Sequence, residues 1–235
     1  MILSILEVIV IRASTWLASF VLFITNFVTA KSELTDTQNG NVLALMPSPR
    51  EQMYVFAKNF FKNPKQVGSI VPSSRFLIDK LIAPVDWNKC KVIVEYGPGI
   101  GNISLEILKR MRPDAKMILL ELNDDMAEYL QQAFRDPRVI SLHRSAEDIC
   151  EVLRENGLEY ADYVVSGIPF SMLPTGVGEK VIKATWEALR PGGKFLIYQY
   201  RRKILDFLRP VFEMIETRYQ PFNVPPAFVF YAHRT

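Results

Sequence analysis

Three short stretches carry residues whose types and spacing suit a small-molecule site. In "VEYGPGIGNIS", Glu95 stands two residues before Gly97, and Gly99 and Gly101 follow. Glycines after a strand let the backbone turn tightly and come close to a ligand. The G-x-G-x-G spacing differs from the G-x-G-x-x-G fingerprint of nicotinamide binding, and an acidic Glu95 suits an ammonium better than a pyrophosphate. "MILLEL" places Glu121 roughly 20 residues further on, where a carboxylate can accept both hydroxyls of a ribose. "SGIPFSMLP", Ser166 to Pro174, stops a strand at a small polar residue and continues with Pro169 and the aromatic Phe170. A loop of this kind often forms one wall of an active site.

The surrounding elements must hold these stretches together. Short apolar runs alternate with helical patterns from Lys91 onward: "KVIVEY", "AKMILLEL", "RVISLH", "ADYVVSG" and "GGKFLIYQY" read as strands, with helices between them. Ser73 or Ser74 is expected to cap a helix running to about Ile82, and Asn123 to cap "DDMAEYLQQAF". "RKILDFLRPVF" reads as one more helix. "MIETRYQ" and "PAFVFYAHR" have no helix between them and are expected to pair antiparallel at a sheet edge. Such alternation predicts an α/β fold with a doubly wound, mainly parallel sheet. Ligands in these sheets bind outside the C-terminal strand ends, where both Glu95 and Glu121 fall.

Composition narrows the class. Net charge is +3 and hydrophobic content 49%, with a pI near 8.8. This is too mildly basic to argue for nucleic acid, and it is compatible with an anionic lipid surface. Two cysteines, Cys90 and Cys150, and two histidines, His143 and His233, are too few and too scattered for a metal cluster, so no metal is expected.

Before the α/β pattern the chain changes character. Residues 1–30 are hydrophobic and carry no charge from Ala13 to Ala30, near the lower limit of a membrane-spanning helix. Two readings stand: a membrane anchor, or sequence upstream of an alternative start at Met46. Residues 31–50 read as a linker. In residues 51–65, Met53, Phe56, Ala57, Phe60 and Phe61 make one apolar stripe flanked by Lys58 and Lys62, the pattern of an amphipathic helix that lies on a membrane surface or docks on a core. Residues 51–85 together form a helical segment expected to cover the ligand site, ahead of the main domain at 86–235.

These features resemble the class I S-adenosylmethionine-dependent methyltransferases, whose fold is Rossmann-like: seven strands, mainly parallel, with an antiparallel C-terminal hairpin and helices on both faces. The resemblance implies that Glu95 organises the methionine end of S-adenosyl-L-methionine. It further implies that Gly97, Gly99 and Gly101 lie under the methionine and ribose, that Glu121 with Leu122 holds the ribose, and that Ala146 and Glu147 sit at the adenine. "NPKQVGSIVPSSRFL", "VEYGPGIGNIS" and "SGIPFSMLP" are more closely similar to the bacterial phospholipid N-methyltransferases, which share their overall plan with the rRNA adenine dimethyltransferases. That likeness implies a membrane-bound helix over the cofactor, with Gly68 and Ser69 as further cofactor contacts. It also implies an amine of phosphatidylethanolamine as acceptor, and a place at the cytoplasmic face of the membrane.

Aligning Pro169-Phe170 with the Pro-aromatic pair of the adenine enzymes puts Gly167 where those carry Asn. Glycine cannot read a base amine, and a buried amine without its partner costs about 1–3 kcal/mol. Ser166, Phe170 and Tyr96 are the residues expected beside the transferred methyl group, with Phe170 offering a ring face to an ammonium. A small-molecule amine and an rRNA adenine are the competing acceptors. The adenine reading also expects a C-terminal helical domain, for which the chain leaves no room after its last strand.

Overall fold

The computed structural model describes residues 73–235. The segments 1–30, 31–50 and 51–65, and the expected cofactor contacts Gly68 and Ser69, lie outside the described residues.

The described elements run α1 (Arg75–Ile82), β1 (Val92–Tyr96), α2 (Asn102–Arg110), β2 (Lys116–Glu121), α3 (Asp124–Ala133), β3 (Val139–His143), α4 (Ile149–Glu155), β4 (Ala161–Ser166), α5 (Val177–Ala188), β5 (Leu189–Gln199), α6 (Leu205–Leu208), β6 (Met214–Gln220) and β7 (Ala227–His233). One seven-stranded sheet has the order β3-β2-β1-β4-β5-β7-β6. β1 pairs parallel with both β2 and β4, and β4 with β5. β7 is antiparallel to both of its neighbours, which makes the C-terminal hairpin. The chain leaves β1 toward β2 and β3, then returns on the other side through β4 and β5. The ends of β1 and β4 therefore flank the switch point where such sheets open a crevice.

Strand geometry sorts the side chains. Successive residues of a strand point to opposite faces. Val92, Val94 and Tyr96 of β1 join one core cluster with residues of α4, α5 and α6. Glu95 faces the other way and meets Ser104 of α2. The helix starts are capped where the sequence predicts. The Ser74 hydroxyl accepts the Leu77 N–H at 3.2 Å and the Asn123 amide oxygen accepts the Met126 N–H at 3.0 Å. α1 is fastened to the hairpin, with the Lys80 ammonium donating to the Tyr219 carbonyl and the Gln220 amide to the Phe76 carbonyl.

Two elements differ from expectation. "RKILDFLRPVF" is not one helix but a 3-10 turn, Arg202–Ile204, followed by the four residues of α6. Pro210 supplies no N–H and its ring crowds the carbonyl four residues back, so the helix stops short of it. The "RPGG" turn lies within β5 rather than before it. Ala161 pairs with Leu189 but Tyr163 with Lys194, so Arg190 to Gly193 form an irregular insertion, with Gly192 at φ 76°.

Candidate active site

A cavity of about 560 Å³ opens at the C-terminal ends of the parallel strands, within the ~300–1,000 Å³ usual for a small-molecule site. Its wall takes Gly97 and Gly99 after β1, Glu121 and Leu122 at the end of β2, and Ala146 and Glu147 after β3. These six residues, read from the sequence as one ligand set, come together there. Ile168 and Pro169 after β4 close the opposite side.

Glu121 is buried, and its carboxylate brackets two segments. Oε1 accepts the N–H groups of Leu122 and Asn123 at 2.9 and 3.0 Å. Oε2 accepts the Gly99 N–H at 3.2 Å. The glycine turn can present that N–H because Gly97, Gly99 and Gly101 all have positive φ, a region side chains rarely enter. Burial raises the Glu121 pKa above its ordinary value, while the N–H groups of Asn123, Gly99 and Leu122 pull it down. Each carboxylate oxygen offers more than one lone pair, so the bracket leaves acceptor capacity for a ligand hydroxyl.

Glu95 is 1% exposed. Its Oε2 accepts the Ser104 hydroxyl at 2.6 Å, and its Oε1 has no hydrogen-bond partner. Burial pushes its pKa up to about 8; the Ser104 hydrogen bond lowers it and the Glu121 charge adds to the rise. A buried carboxylate with one oxygen unsatisfied is costly unless a cation or donor arrives.

Four expected site residues are placed elsewhere. Tyr96 is fully buried. Its hydroxyl lies 3.0 Å from the Thr185 hydroxyl, and since Thr185 donates to the Val181 carbonyl, Tyr96 is the donor. Because strand residues alternate, Glu95 and Tyr96 cannot both face the ligand, and Tyr96 belongs to the core. Ser166 is fully buried too, its hydroxyl accepting the Ile168 N–H at 3.2 Å and shaping the loop. Phe170, 2% exposed, packs edge-on against Phe195 with centroids 6.5 Å apart and lies 6.1 Å from the Phe207 ring. Its face is not available to an ammonium. Gly101 starts α2, and a Cβ there would meet the Phe134 ring at 2.5 Å, so it serves helix packing.

The structure adds residues that the sequence reading passed over. Tyr198, near the C-terminal end of β5, lines the cavity, as Ser73 does. Burial pushes the Tyr198 hydroxyl up to about 12, so it stays protonated at neutral pH and cannot serve as a base. The rule that placed Glu95 and Glu121 at strand ends also covers Tyr198. Ser73 belongs to the "QVGSIVPSS" segment expected to lead into the pocket, most of which precedes the described residues. Arg144 and Ser145 complete the β3 side. His143, which points at the Leu122 carbonyl and Asp124, is not part of the wall.

Residues 93–193 match a family model described as a methyltransferase domain. Over that stretch the chain is similar to a methyltransferase domain, on a fold of the Rossmann-like methyltransferase kind. Among similar proteins, it is 29% identical over 187 residues to an ornithine lipid N-methyltransferase of Singulisphaera acidiphila, covering 77% of this chain and 95% of that one. A ribosomal RNA small subunit methyltransferase A of Mycoplasma capricolum is 29% identical over 113 residues, 46% of this chain and 40% of that one. The fold is shared with a precorrin-6y C5,15-methyltransferase from Geobacter metallireducens at TM-score 0.56, 16% identity, covering 72% of this chain and 93% of that one. It is shared too with a T. thermophilus 16S rRNA N2 G1207 methyltransferase in complex with AdoMet and guanosine, at TM-score 0.54 and 20% identity over 72% and 44% of the two chains.

The site's own chemistry fits S-adenosylmethionine. Glu95 is buried behind the cavity lining rather than part of it, and its unsatisfied Oε1 is an acceptor for a donor that reaches it. Glu121 suits ribose hydroxyls, and the Gly97–Gly99 turn leaves a side-chain-free floor. Leu122, 69% exposed, and Ala146 offer apolar surface to an adenine ring, and Ser145 and Glu147 polar atoms to its edge.

Proposed function

We propose that the methyltransferase domain acts on the primary amine of a membrane lipid, with phosphatidylethanolamine and ornithine lipid as the candidate acceptors. The observation that carries this reading is the wall after β4. At Gly167 a Cβ would come within 3.0 Å of the Gly97 carbonyl oxygen, so this position has no room for a base-reading side chain. The cavity wall continues with Ile168, Pro169, Met172, Leu173 and Pro174, a run with no polar group beyond its backbone. Such a wall favours an acceptor that is flexible and partly apolar over a planar, polar base. The similarity to a lipid N-methyltransferase over 95% of that protein's length supports the same reading. The rRNA enzyme is matched over 40% of its length.

When bound, the cofactor supplies a methyl group already activated as a sulfonium, so the chain's task is to place and desolvate the amine. The loop carbonyls of Ile168 and Pro169 are taken up by the Gln199 amide and the Met172 N–H. No described residue donates to the Gly167 carbonyl, which leaves it able to accept an amine N–H. The apolar wall disfavours the charged ammonium and lowers the amine's pKa, which raises the share of the neutral nucleophile.

A membrane-side location fits an exposed aromatic pair near the cavity. Phe76 and Phe222 are 62% and 71% exposed, with ring centroids 5.7 Å apart. Ser74, next to the cavity-lining Ser73, donates its hydroxyl to the Phe222 carbonyl. The place proposed for the chain is the cytoplasmic face of a membrane, where the cofactor is available, with residues 51–65 as the expected contact. The test is incubation of the full chain with methyl-labelled S-adenosylmethionine and, in parallel, phosphatidylethanolamine vesicles, ornithine lipid vesicles and ribosomal RNA. Label confined to a lipid fraction is expected. Label in the RNA alone would replace this reading with the adenine one.

A further inference from the structure

A second, smaller cavity of about 150 Å³ adjoins the first across the Gly167 loop. The two share Gly167, Pro169, Met172 and Tyr198 as common wall. The annex continues beyond the end of β5 with Tyr200, Arg201 and Lys203. It is smaller than the ~300 Å³ at which pockets begin to enclose a whole small molecule, and matches a head group better. Tyr198 and Tyr200 meet edge to face, with centroids 6.3 Å apart, at the boundary between the two spaces. Arg201 and Lys203 are exposed and make no ion pair with a described residue. Arg202, between them, is turned away over the Phe228 ring. Among the described residues the annex wall thus has two cations and no carboxylate.

We infer that the annex binds the anionic group carried next to the acceptor amine, with Arg201 and Lys203 as its cations. This inference rests on the lipid-amine reading and adds what it lacks, a determinant for the zwitterionic acceptor. An oxyanion held by Arg201 and Lys203 places its neighbouring amine toward Gly167, the residue common to both cavities. The tyrosine rings then border the path of an ammonium, to which an aromatic face is attractive. The shared ligand chemistry is an oxyanion a few bonds from an amine; its source is the phosphodiester of phosphatidylethanolamine or the carboxylate of an ornithine lipid.

The experiment uses the full chain, labelled S-adenosylmethionine, and phosphatidylcholine vesicles containing either phosphatidylethanolamine or ornithine lipid. The double variant Arg201→Gln/Lys203→Gln is compared with wild type and with Lys183→Gln, a change of charge on α5 away from both cavities. Loss of charge-assisted hydrogen bonds is expected to raise KM for the lipid amine by at least ~10-fold. Cofactor affinity and vesicle co-sedimentation stay as in wild type. A rise in both lipid arms assigns the shared oxyanion role, and a rise in one arm alone assigns the annex to that lipid's anion. Soluble phosphoethanolamine should compete with the lipid in wild type and less well in the double variant. Lipid product with an unchanged KM overturns the annex assignment while leaving the lipid reading intact. A KM rise matched by an equal loss of vesicle binding also overturns it, because the cations would then be membrane contacts. No lipid product from wild type overturns both.

Discussion

Glu121 Oε2 accepts the Gly99 N–H at 3.2 Å, joining the end of β2 to the turn that follows β1. One carboxylate thereby sets the shape of the glycine turn and faces the cavity. Its two tasks separate by substitution. Glu121→Gln keeps an acceptor oxygen and is expected to weaken S-adenosylhomocysteine binding about 10-fold, with little change in thermal midpoint. Glu121→Ala strands three N–H groups, adding about 1–3 kcal/mol of destabilisation. Calorimetric titration and thermal unfolding of the two variants measure each part.

The buried Glu95 gives the ligand-free protein a pH signature. Its folded-state pKa lies near 8, above the ordinary 4.5, and that of Glu121 is also raised. Between these values the folded chain holds more protons than the unfolded one, so stability falls as pH rises from about 4.5 to about 8. Glu95→Gln is expected to flatten this slope. Denaturant midpoints at pH 5, 6, 7 and 8 (~1 pH unit apart) for wild type and variant provide the check. A wild-type midpoint that climbs over this range would contradict the assignment.

Gly101 answers to packing. It has φ +82°, and a Cβ would meet the Phe134 ring at 2.5 Å and 2.7 Å. Gly101→Ala is expected to destabilise by about 2–4 kcal/mol, from left-handed strain and overpacking together. Phe134→Leu in the same chain should recover part of the overpacking and none of the strain, so the double variant unfolds above Gly101→Ala and below Phe134→Leu alone.

Gly167→Ala presses a methyl on the Gly97 carbonyl at 3.0 Å. Gly97 must shift by a few tenths of an ångström, at the meeting point of the cofactor turn and the acceptor loop. Turnover is expected to fall roughly 10-fold, as small misplacements do at a reacting centre, with unfolding near that of wild type. Steady-state kinetics with a stability control reads this out.

The legible parts of the site were those written in backbone chemistry. Gly97, Gly99 and Glu121 follow from strand ends and turn residues, which depend on local sequence, whereas Ala146 and Glu147 come from the family resemblance. Asn123 as a cap is local too. Tyr96, Ser166 and Phe170 were misplaced because their roles depend on which face of the sheet a side chain takes and what packs there. The alternation from Glu95 to Tyr96 holds the signal: once Glu95 is given to the ligand, its neighbour belongs to the opposite face. Phe170 sits beside Phe195 and Phe207 through contacts between distant segments, which one sequence does not display. Tyr198, Arg201 and Lys203 were passed over because β5 has no glycine turn or carboxylate to mark its end.

The central claim is that the cavity bounded by Gly97, Glu121 and Gly167 moves a methyl group to a lipid amine. Mass spectrometry of vesicle lipids after incubation with S-adenosylmethionine tests it most directly, with wild type and Glu121→Ala run in parallel. Phosphatidylethanolamine or ornithine lipid should gain successive methyl increments with wild type and far fewer with the variant. Unchanged lipids in the presence of wild-type protein that binds the cofactor would contradict the account.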